Sequence, residues 1–536
     1  MLQIIKLFIN YYKKRNRWWI PLVTGIPCSL CLLPFNHEIH WVFAFFPLFS
    51  FFALIPLFFF SLHTSLVRTL FHVYLFSLPI ALGQCFWLIF VKIEGLWVLI
   101  IAGMVLLAAY VALFYTAAGI AFRLIYKKFP GLTVLLFPCC WIVIDFSRTL
   151  GDISFPWGFL GYNMTPLLPV SQLAAITGVW GLTFLIVMGN VLVWNTLIQW
   201  YRKDRLRIPM IKNAVFCLLL VAVIIWGWFR IAKKEEGRTP VKLAILQTAL
   251  DQLNWGSNSL DTAFAITDSM VFTAAESKPD LIVGPESALL CYLARQRKYA
   301  RRVRSWANST NVPIFLGALH WEKPSKASAY QYYVYNTAFL VKPSQRALEP
   351  YRKIKLVPFS EAIPFEGLFP ILSRVNLGEA DFQRGKEATI FSIHDSITFA
   401  PFICYESIYP GFVQKRLRQG GKLIVHITND GWFGKTTGPY QHAIMARMRA
   451  IENGVAMARC AITGISMFID PLGRILQHTK LGKRVIIEDV LPLQEAKTFY
   501  SRFGDWFVVV CMIIILGTTT VISIKKWHQK SSAENK

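Results

Sequence analysis

The sequence predicts a polytopic α-helical membrane bundle of about eight spans, with an α/β layered domain inserted before the last of them. The first observation behind this is composition: a chain of 536 residues that is 55% hydrophobic and 16% charged is too apolar to meet water on every side. The second is distribution. The apolar excess lies before Lys233 and in one stretch near the C-terminus, whereas residues 240 to 500 carry mixed charge. The third is pattern, because within those residues short β-branched runs alternate with polar, helix-like stretches.

Apolar segments lie near 18 to 34, 41 to 62, 69 to 91, 95 to 122, 131 to 146, 170 to 200 and 214 to 229, and an eighth runs from Trp506 to Ile524. Each approaches the roughly 20 residues that a helix needs to cross hydrocarbon, with the fifth and seventh short. Lys13, Lys14, Arg15 and Arg17 precede the first run, as in a signal peptide, but no small-x-small cleavage site follows, so a retained first span is expected. Alternate breaks are basic: the N-terminus, Arg68, then Arg123 with Lys127 and Lys128, then Arg202, Lys203, Arg205, Arg207 and Lys212, and finally Lys525 and Lys526. The positive-inside rule makes these the cytoplasmic ends. With both termini inside, the loop after the seventh span lies outside. The expected domains are a bundle over 1–232, an extracytoplasmic catalytic domain over 233–500, and a last span with a basic tail over 501–536.

The net charge of +26 does not indicate nucleic acid, because the Lys and Arg residues cluster at the ends of apolar runs. Of the ten cysteines, Cys28, Cys31, Cys85, Cys139, Cys140, Cys217 and Cys511 sit inside apolar segments as small hydrophobes. Cys291, Cys404 and Cys460 remain, with no C-x-x-C pair or zinc-like His spacing among them. No structural metal and no cofactor are expected.

In the 240 to 500 region, strands are expected at Lys242–Gln247, Leu281–Gly284, Pro313–Ala318, Thr337–Val341, Ile397–Cys404 and Lys422–Thr428, with a hairpin-like pair around Ala458–Asp470. One strand ends on Pro285-Glu286 and another on Cys404. Strand ends are where α/β folds often place chemistry.

Three phrases supply a carboxylate, an ammonium and a thiol: Gly284-Pro285-Glu286-Ser287, Tyr351-Arg352-Lys353-Ile354-Lys355-Leu356-Val357-Pro358-Phe359, and Ile403-Cys404-Tyr405-Glu406. A cysteine becomes a strong nucleophile when a base takes its proton or a cation stabilises its thiolate, and a cation can hold the oxyanion formed on attack. Taken singly, Cys404 reads as a buried hydrophobe and Glu286 or Lys353 as a solvated charge. Local spacing does not connect them.

The three phrases resemble the nitrilase, or carbon–nitrogen hydrolase, superfamily, and that resemblance connects them. A nitrilase-like domain between N-terminal spans and one C-terminal span is similar, over essentially the whole chain, to the apolipoprotein N-acyltransferases. Phe155-Pro156-Trp157, Gly161-Tyr162 and Gly178-Val179-Trp180-Gly181-Leu182-Thr183-Phe184 carry the likeness in the membrane part. Val357-Pro358-Phe359-Ser360-Glu361, Asn429-Asp430-Gly431-Trp432-Phe433-Gly434 and Gln441-His442 with Met445-Ala446-Arg447-Met448-Arg449-Ala450 carry it outside. The resemblance implies an α-β-β-α sandwich with Glu286 as general base, Lys353 as oxyanion-stabilising cation and Cys404 as nucleophile. It implies supporting roles for Glu361, Tyr405 and Glu406, and links Trp255 to acyl transfer, where packing is the other reading. Ser360 with Ala362, Ser407, and Thr463-Gly464 depart from the family pattern without removing a triad member. His426 and His442 could suggest a Cys–His pair, but the matched Glu and Lys leave them a structural role. Arg148 reads either as a phosphate contact at the outer membrane surface or as an interfacial anchor.

The function so implied is N-acylation: a phospholipid acyl donor, a thioester on Cys404, and transfer to the α-amine of diacylglyceryl-modified apolipoproteins. A monomer in the bacterial cytoplasmic (inner) membrane is expected, among membrane lipids, with no nucleic-acid partner. A membrane-anchored amidase or an acyltransferase for another amine is the alternative, and a non-catalytic transporter or binding protein a further one. Aromatic residues at Trp255, Phe365 to Phe369 and Trp432 to Phe433 are candidates for keeping water from the thioester.

Overall fold

A backbone surrounded by lipid can satisfy its polar groups only within a helix or a closed barrel, and here the apolar runs are helical. The computed structural model describes residues 18–32, 46–62, 65–91, 97–233, 239–250, 259–324, 331–365, 382–394 and 397–534. Among these, five helices are long and apolar enough to cross a membrane: Leu66–Phe90, Trp97–Lys128, Pro130–Ser147, Val179–Tyr201 and Arg207–Ala232. Ile20–Leu32 and the apolar part of the C-terminal helix, Trp506–Val521, are shorter.

Two expected spans are broken. The segment near 41 to 62 forms only Phe46–Phe49 and Ile55–Ser61 within its described part, with Pro47 and Pro56 in their first turns, where a residue without an N–H is tolerated. The segment near 170 to 200 bends at Gly178, which has φ +67° and divides Ala174–Thr177 from Val179–Tyr201. A Cβ there would also lie 2.5 Å from the Tyr500 ring, so only glycine fits the bend.

The inserted domain is a two-sheet sandwich. In the first sheet β1 (Thr239–Gln247), β2 (Leu281–Val283) and β4 (Ile314–Glu322) run parallel, with β3 (Leu289–Tyr292) beside β4. The sheet continues antiparallel through β5 (Tyr333–Val341) and β6 (Leu348–Arg352), and β13 (Val485–Leu493) closes its other edge against β1. The second sheet has the order β12 (Ile475–His478), β11 (Met467–Ile469), β10 (Met457–Ala461), β9 (Ile424–Thr428), β8 (Ile397–Ile403) and β7 (Phe391–His394).

Period-two alternation assigns the faces. Val241, Leu243 and Ile245 of β1 join Phe399, Ile403, Val425 and Ile427 in the core between the sheets. Ala244 and Leu246 of the same strand face helices α1 (Ser259–Ala275) and α2 (Arg297–Thr310). Helices α3 (Pro410–Leu417) and α4 (Gly438–Asn453) cover the second sheet. The layer order is therefore α-β-β-α.

The sandwich is bolted to one end of the bundle by buried polar bonds. The Trp157 indole donates to Gln441 Oε1 at 2.6 Å, Arg449 donates to the Tyr162 hydroxyl at 3.0 Å, and the Val179 amide donates to Glu452 Oε1 at 2.9 Å. Beside them the Trp180 indole donates at 2.8 Å to Asp505, the residue before the C-terminal helix. The phrases singled out in the membrane part are thus largely docking residues. Phe433 belongs to this junction too, with its ring 4.5 Å from that of Trp87.

Candidate active site

The candidate residues follow three strand ends: Glu286 after β2, Lys353 directly after β6, and Cys404 directly after β8. Cross-sheet hydrogen bonds draw these ends together. The strand end bearing Glu286 lies so close to β4 that a Cβ on Gly317 would sit 2.7 Å from Glu286 Cα, so only glycine allows the approach.

Lys353 is buried, and its ammonium donates to Glu286 Oε1 at 3.3 Å and to Glu361 Oε1 at 2.9 Å. Asn336 Nδ2 bonds the same two oxygens at 2.8 and 2.9 Å. The other oxygens accept backbone amides, Glu286 Oε2 from Asn429 at 2.7 Å and Glu361 Oε2 from Val357 at 2.9 Å. Burial alone would push the Lys353 ammonium down, but Glu286, Glu361 and Cys404 together raise it above its ordinary value. It therefore stays charged. An ammonium has three N–H donors, and among the described residues two carboxylates take one each, leaving the third for a ligand.

Cys404 is half-buried and adopts φ +50°, a left-handed conformation that costs a non-glycine residue about 1–3 kcal/mol. Burial raises its thiol well above the usual range and Glu286 raises it further, while Lys353 and a hydrogen bond with Thr428 act the other way. The resting state is a protonated thiol beside a carboxylate and an ammonium. Such a thiol needs a base at the moment of attack.

Glu406 is fully buried and accepts the Ile354 amide at 2.7 Å, the Lys355 amide at 3.2 Å, the Ile403 amide at 2.8 Å and the Tyr351 hydroxyl at 2.8 Å. Burial raises its carboxyl, opposed by Arg416, the Ile403 and Ile354 amides and Tyr351. Tyr405 is buried and points toward the bundle, its hydroxyl donating to the Ser154 carbonyl at 2.9 Å. Trp255 and Phe369 lie outside the described residues. Among the described residues no group of three or more His, Cys, Asp or Glu is arranged to hold a metal ion.

Comparison with known proteins bears on the whole chain. Residues 247–497 match the carbon-nitrogen hydrolase family, and residues 18–192 match the apolipoprotein N-acyltransferase N-terminal domain. An apolipoprotein N-acyltransferase of Geobacter metallireducens is 32% identical over 419 residues, 78% of this chain and 79% of that relative. This chain belongs to the apolipoprotein N-acyltransferase family. A Bradyrhizobium diazoefficiens relative of the same name is 32% identical over 76% of this chain and 77% of its own length. For one from Treponema denticola the figures are 26%, 91% and 94%.

Within this N-acyltransferase the structure adds residues to the candidate site that sequence reasoning missed. Asn336 stands in the middle of β5, where a polar residue in a β-branched run was the available signal. Asn429 contributes through its backbone, which no side-chain pattern reveals. His426 and His442 both approach the Cys404 carbonyl, at 3.1 and 3.3 Å. Arg148 corrects both readings made of it: it is 1% exposed and donates to Asp145 at 3.2 Å and to the Trp157 carbonyl at 2.6 Å. A guanidinium enclosed in this way braces the bundle and reaches no phosphate at the surface.

Proposed function

We propose that this enzyme transfers a fatty acyl chain from a phospholipid, through a thioester on Cys404, to the α-amine of the N-terminal diacylglyceryl-cysteine of apolipoproteins. The observation that carries the reading is Lys353, a buried ammonium held by two carboxylates with one N–H to spare, beside a protonated thiol. Membership of the family supplies the substrate classes, a lipid donor and a lipoprotein acceptor.

In the first step Glu286 takes the Cys404 proton as sulfur attacks the ester carbonyl of the phospholipid. The free N–H of Lys353 meets the oxyanion. Collapse breaks the ester C–O bond, and Glu286 returns the proton to the departing lysophospholipid oxygen. In the second step the lipoprotein amine attacks the thioester, Glu286 accepts the amine proton, and Cys404 leaves as a thiol after that proton passes to sulfur. Glu361 holds Lys353, Glu406 and Tyr405 hold the nucleophile segment, and the family resemblance links Trp255 to acyl transfer. No cofactor enters either step.

Both substrates are anchored in the bilayer, so tethering the sandwich to spans raises their effective concentration at the site. Bundle residues that touch the sandwich, Trp87 and Val179 at helix ends and Trp157 in the segment after the helix that ends at Ser147, lie across the bundle from the basic clusters at Lys127, Lys128 and Arg202 to Lys212. This supports an extracytoplasmic sandwich on the bacterial cytoplasmic (inner) membrane, with domains at 1–232, 233–500 and 501–536. All the assigned residues come from one chain, so a monomer suffices. The test is purified Cys404→Ala enzyme given phospholipid and a diacylglyceryl peptide. It should form no amide-linked product, and turnover near that of the unmodified enzyme would overturn the covalent route.

A further inference from the structure

Behind Cys404 lies a buried polar cluster that the two-step reaction does not use: His426, His442, Asp430, Arg459 and Ser407, each no more than 1% exposed. Asp430 accepts from Arg459 at 2.6 Å, from Thr428 at 3.0 Å and from His442 Nδ1 at 2.9 Å. His442 Nε2 lies 3.2 Å from the Ser407 hydroxyl, which itself lies 3.1 Å from the Cys404 carbonyl. The Ser407-His442-Asp430 chain has the connectivity of a nucleophilic triad. It is sealed from solvent, however, and ends on the backbone of Cys404.

The protonation of this cluster follows from its partners. A guanidinium can only donate, and Arg459 meets His426 Nδ1 at 2.9 Å. That nitrogen must present its lone pair, so the one proton of a neutral ring sits on Nε2, aimed at the Cys404 carbonyl 3.1 Å away. Burial, then Arg459 and His442, hold His426 well below its ordinary value, in keeping with a neutral ring. His442 is placed differently. Its Nδ1 lies 2.9 Å from Asp430 and 3.4 Å from Arg459, so the shorter contact with the carboxylate places the proton on Nδ1, and Nε2, 3.2 Å from the Ser407 hydroxyl and 3.3 Å from the Cys404 carbonyl, is left as an acceptor for Ser407. His426 is thus the ring whose N–H a guanidinium fixes toward the Cys404 carbonyl.

We propose that His426 is a positioning residue for acyl transfer: its Nε2–H, oriented by Arg459 on the opposite ring nitrogen, holds the Cys404 carbonyl and keeps Cys404 in the left-handed conformation that presents its thiol to Glu286 and Lys353. The inference rests on the assignment of Cys404 as nucleophile. A cysteine at φ +50° relaxes toward ordinary backbone angles unless its peptide is held, and relaxation swings the Cα–Cβ bond away from the site. A sub-ångström to 1 Å displacement of a reacting atom costs up to about 100-fold in rate.

The experiment compares full-length His426→Leu and His426→Gln enzymes in single-turnover acylation by phosphatidylethanolamine, read as acyl-Cys404 by mass spectrometry. Leu removes the donor, whereas the glutamine amide carries an N–H of similar reach. Acylation should fall about 10- to 100-fold in His426→Leu, with the phospholipid KM unchanged, and should recover to within several-fold in His426→Gln. A folded His426→Leu enzyme that acylates at the unmodified rate, or a glutamine variant as slow as the leucine variant, would overturn the proposal. Should the leucine variant not fold, the ¹⁵N spectrum of His426 in unmodified enzyme decides. An unprotonated Nδ1 with a protonated Nε2 is expected, and the reverse tautomer or an imidazolium at neutral pH overturns the proposal. Acyl transfer by Cys404→Ala enzyme is a separate outcome that would remove the nucleophile assignment itself.

Discussion

The Glu406 carboxylate accepts the backbone N–H of Ile354 at 2.7 Å, a bond that crosses from one sheet to the other. Its second oxygen accepts the Ile403 amide at 2.8 Å, so one side chain fixes the distance between the residue after Lys353 and the residue before Cys404. Glutamine at this position would turn an NH₂ group toward one of these amides. A buried donor left without an acceptor costs about 1–3 kcal/mol, and loosening the strand ends should slow thioester formation about 100-fold. Thermal unfolding and single-turnover acylation of Glu406→Gln measure the two effects, and an unmodified enzyme's values in both would dismiss the tie.

The titration of Cys404 gives a prediction whose sign separates base from cation. Burial and the Glu286 charge raise the thiol, and Lys353 lowers it. Removing the negative charge in Glu286→Gln should therefore shift alkylation of Cys404 by iodoacetamide to lower pH, even as acylation by phospholipid collapses for want of a base. Lys353→Met should shift alkylation to higher pH. Alkylation profiles of the Cys404 peptide check both, and a Glu286→Gln profile displaced upward would contradict the arrangement.

The junction between sandwich and bundle depends on Glu452, which accepts the Val179 amide at 2.9 Å and pairs with Arg449 at 3.2 Å with both side chains fully buried. Glu452→Ala leaves a buried guanidinium without its counter-charge, a change that costs about 3–5 kcal/mol. A marked fall in unfolding temperature is expected. An unfolding temperature within a degree or so of the original would show the pair to be dispensable.

Much of this was legible in the sequence, and the residues show why. Glu286 and Cys404 sit at the ends of β-branched runs within recognisable phrases, so strand and chemistry coincide locally, whereas Lys353 was legible from its phrase alone because the strand before it, Leu348–Arg352, has no β-branched residue. Strand β13 was not legible: Pro492 speaks against a strand, yet β13 is the edge of its sheet, where a missing N–H is harmless. The seventh apolar run looked short because charge at Arg207 and Lys212 trimmed it, but the helix begins at Arg207 and runs to Ala232. The break at Gly178 depends on Tyr500, more than 300 residues away in the chain. His426 and Arg459 stand on adjacent strands, and their partnership appears only once β9 and β10 pair, with Arg459 beside His426.

The orientation of the sandwich rests on the charge pattern and follows from the same helix ends. Reporter fusions placed after Lys242 and after Lys526 should give opposite readings, extracytoplasmic for the first and cytoplasmic for the second. Cytoplasmic signals from both would overturn the topology.

The most direct measurement of the central claim is the fate of the acyl chain on Cys404. A thioester waiting for a membrane-bound amine must outlast nearby water, so purified enzyme given phospholipid alone should accumulate acyl-Cys404 with little free fatty acid. Adding a diacylglyceryl peptide with a free α-amine should then discharge the acyl group into an amide. Rapid release of fatty acid without the peptide, and no amide when it is added, would contradict acyl transfer and identify a hydrolase.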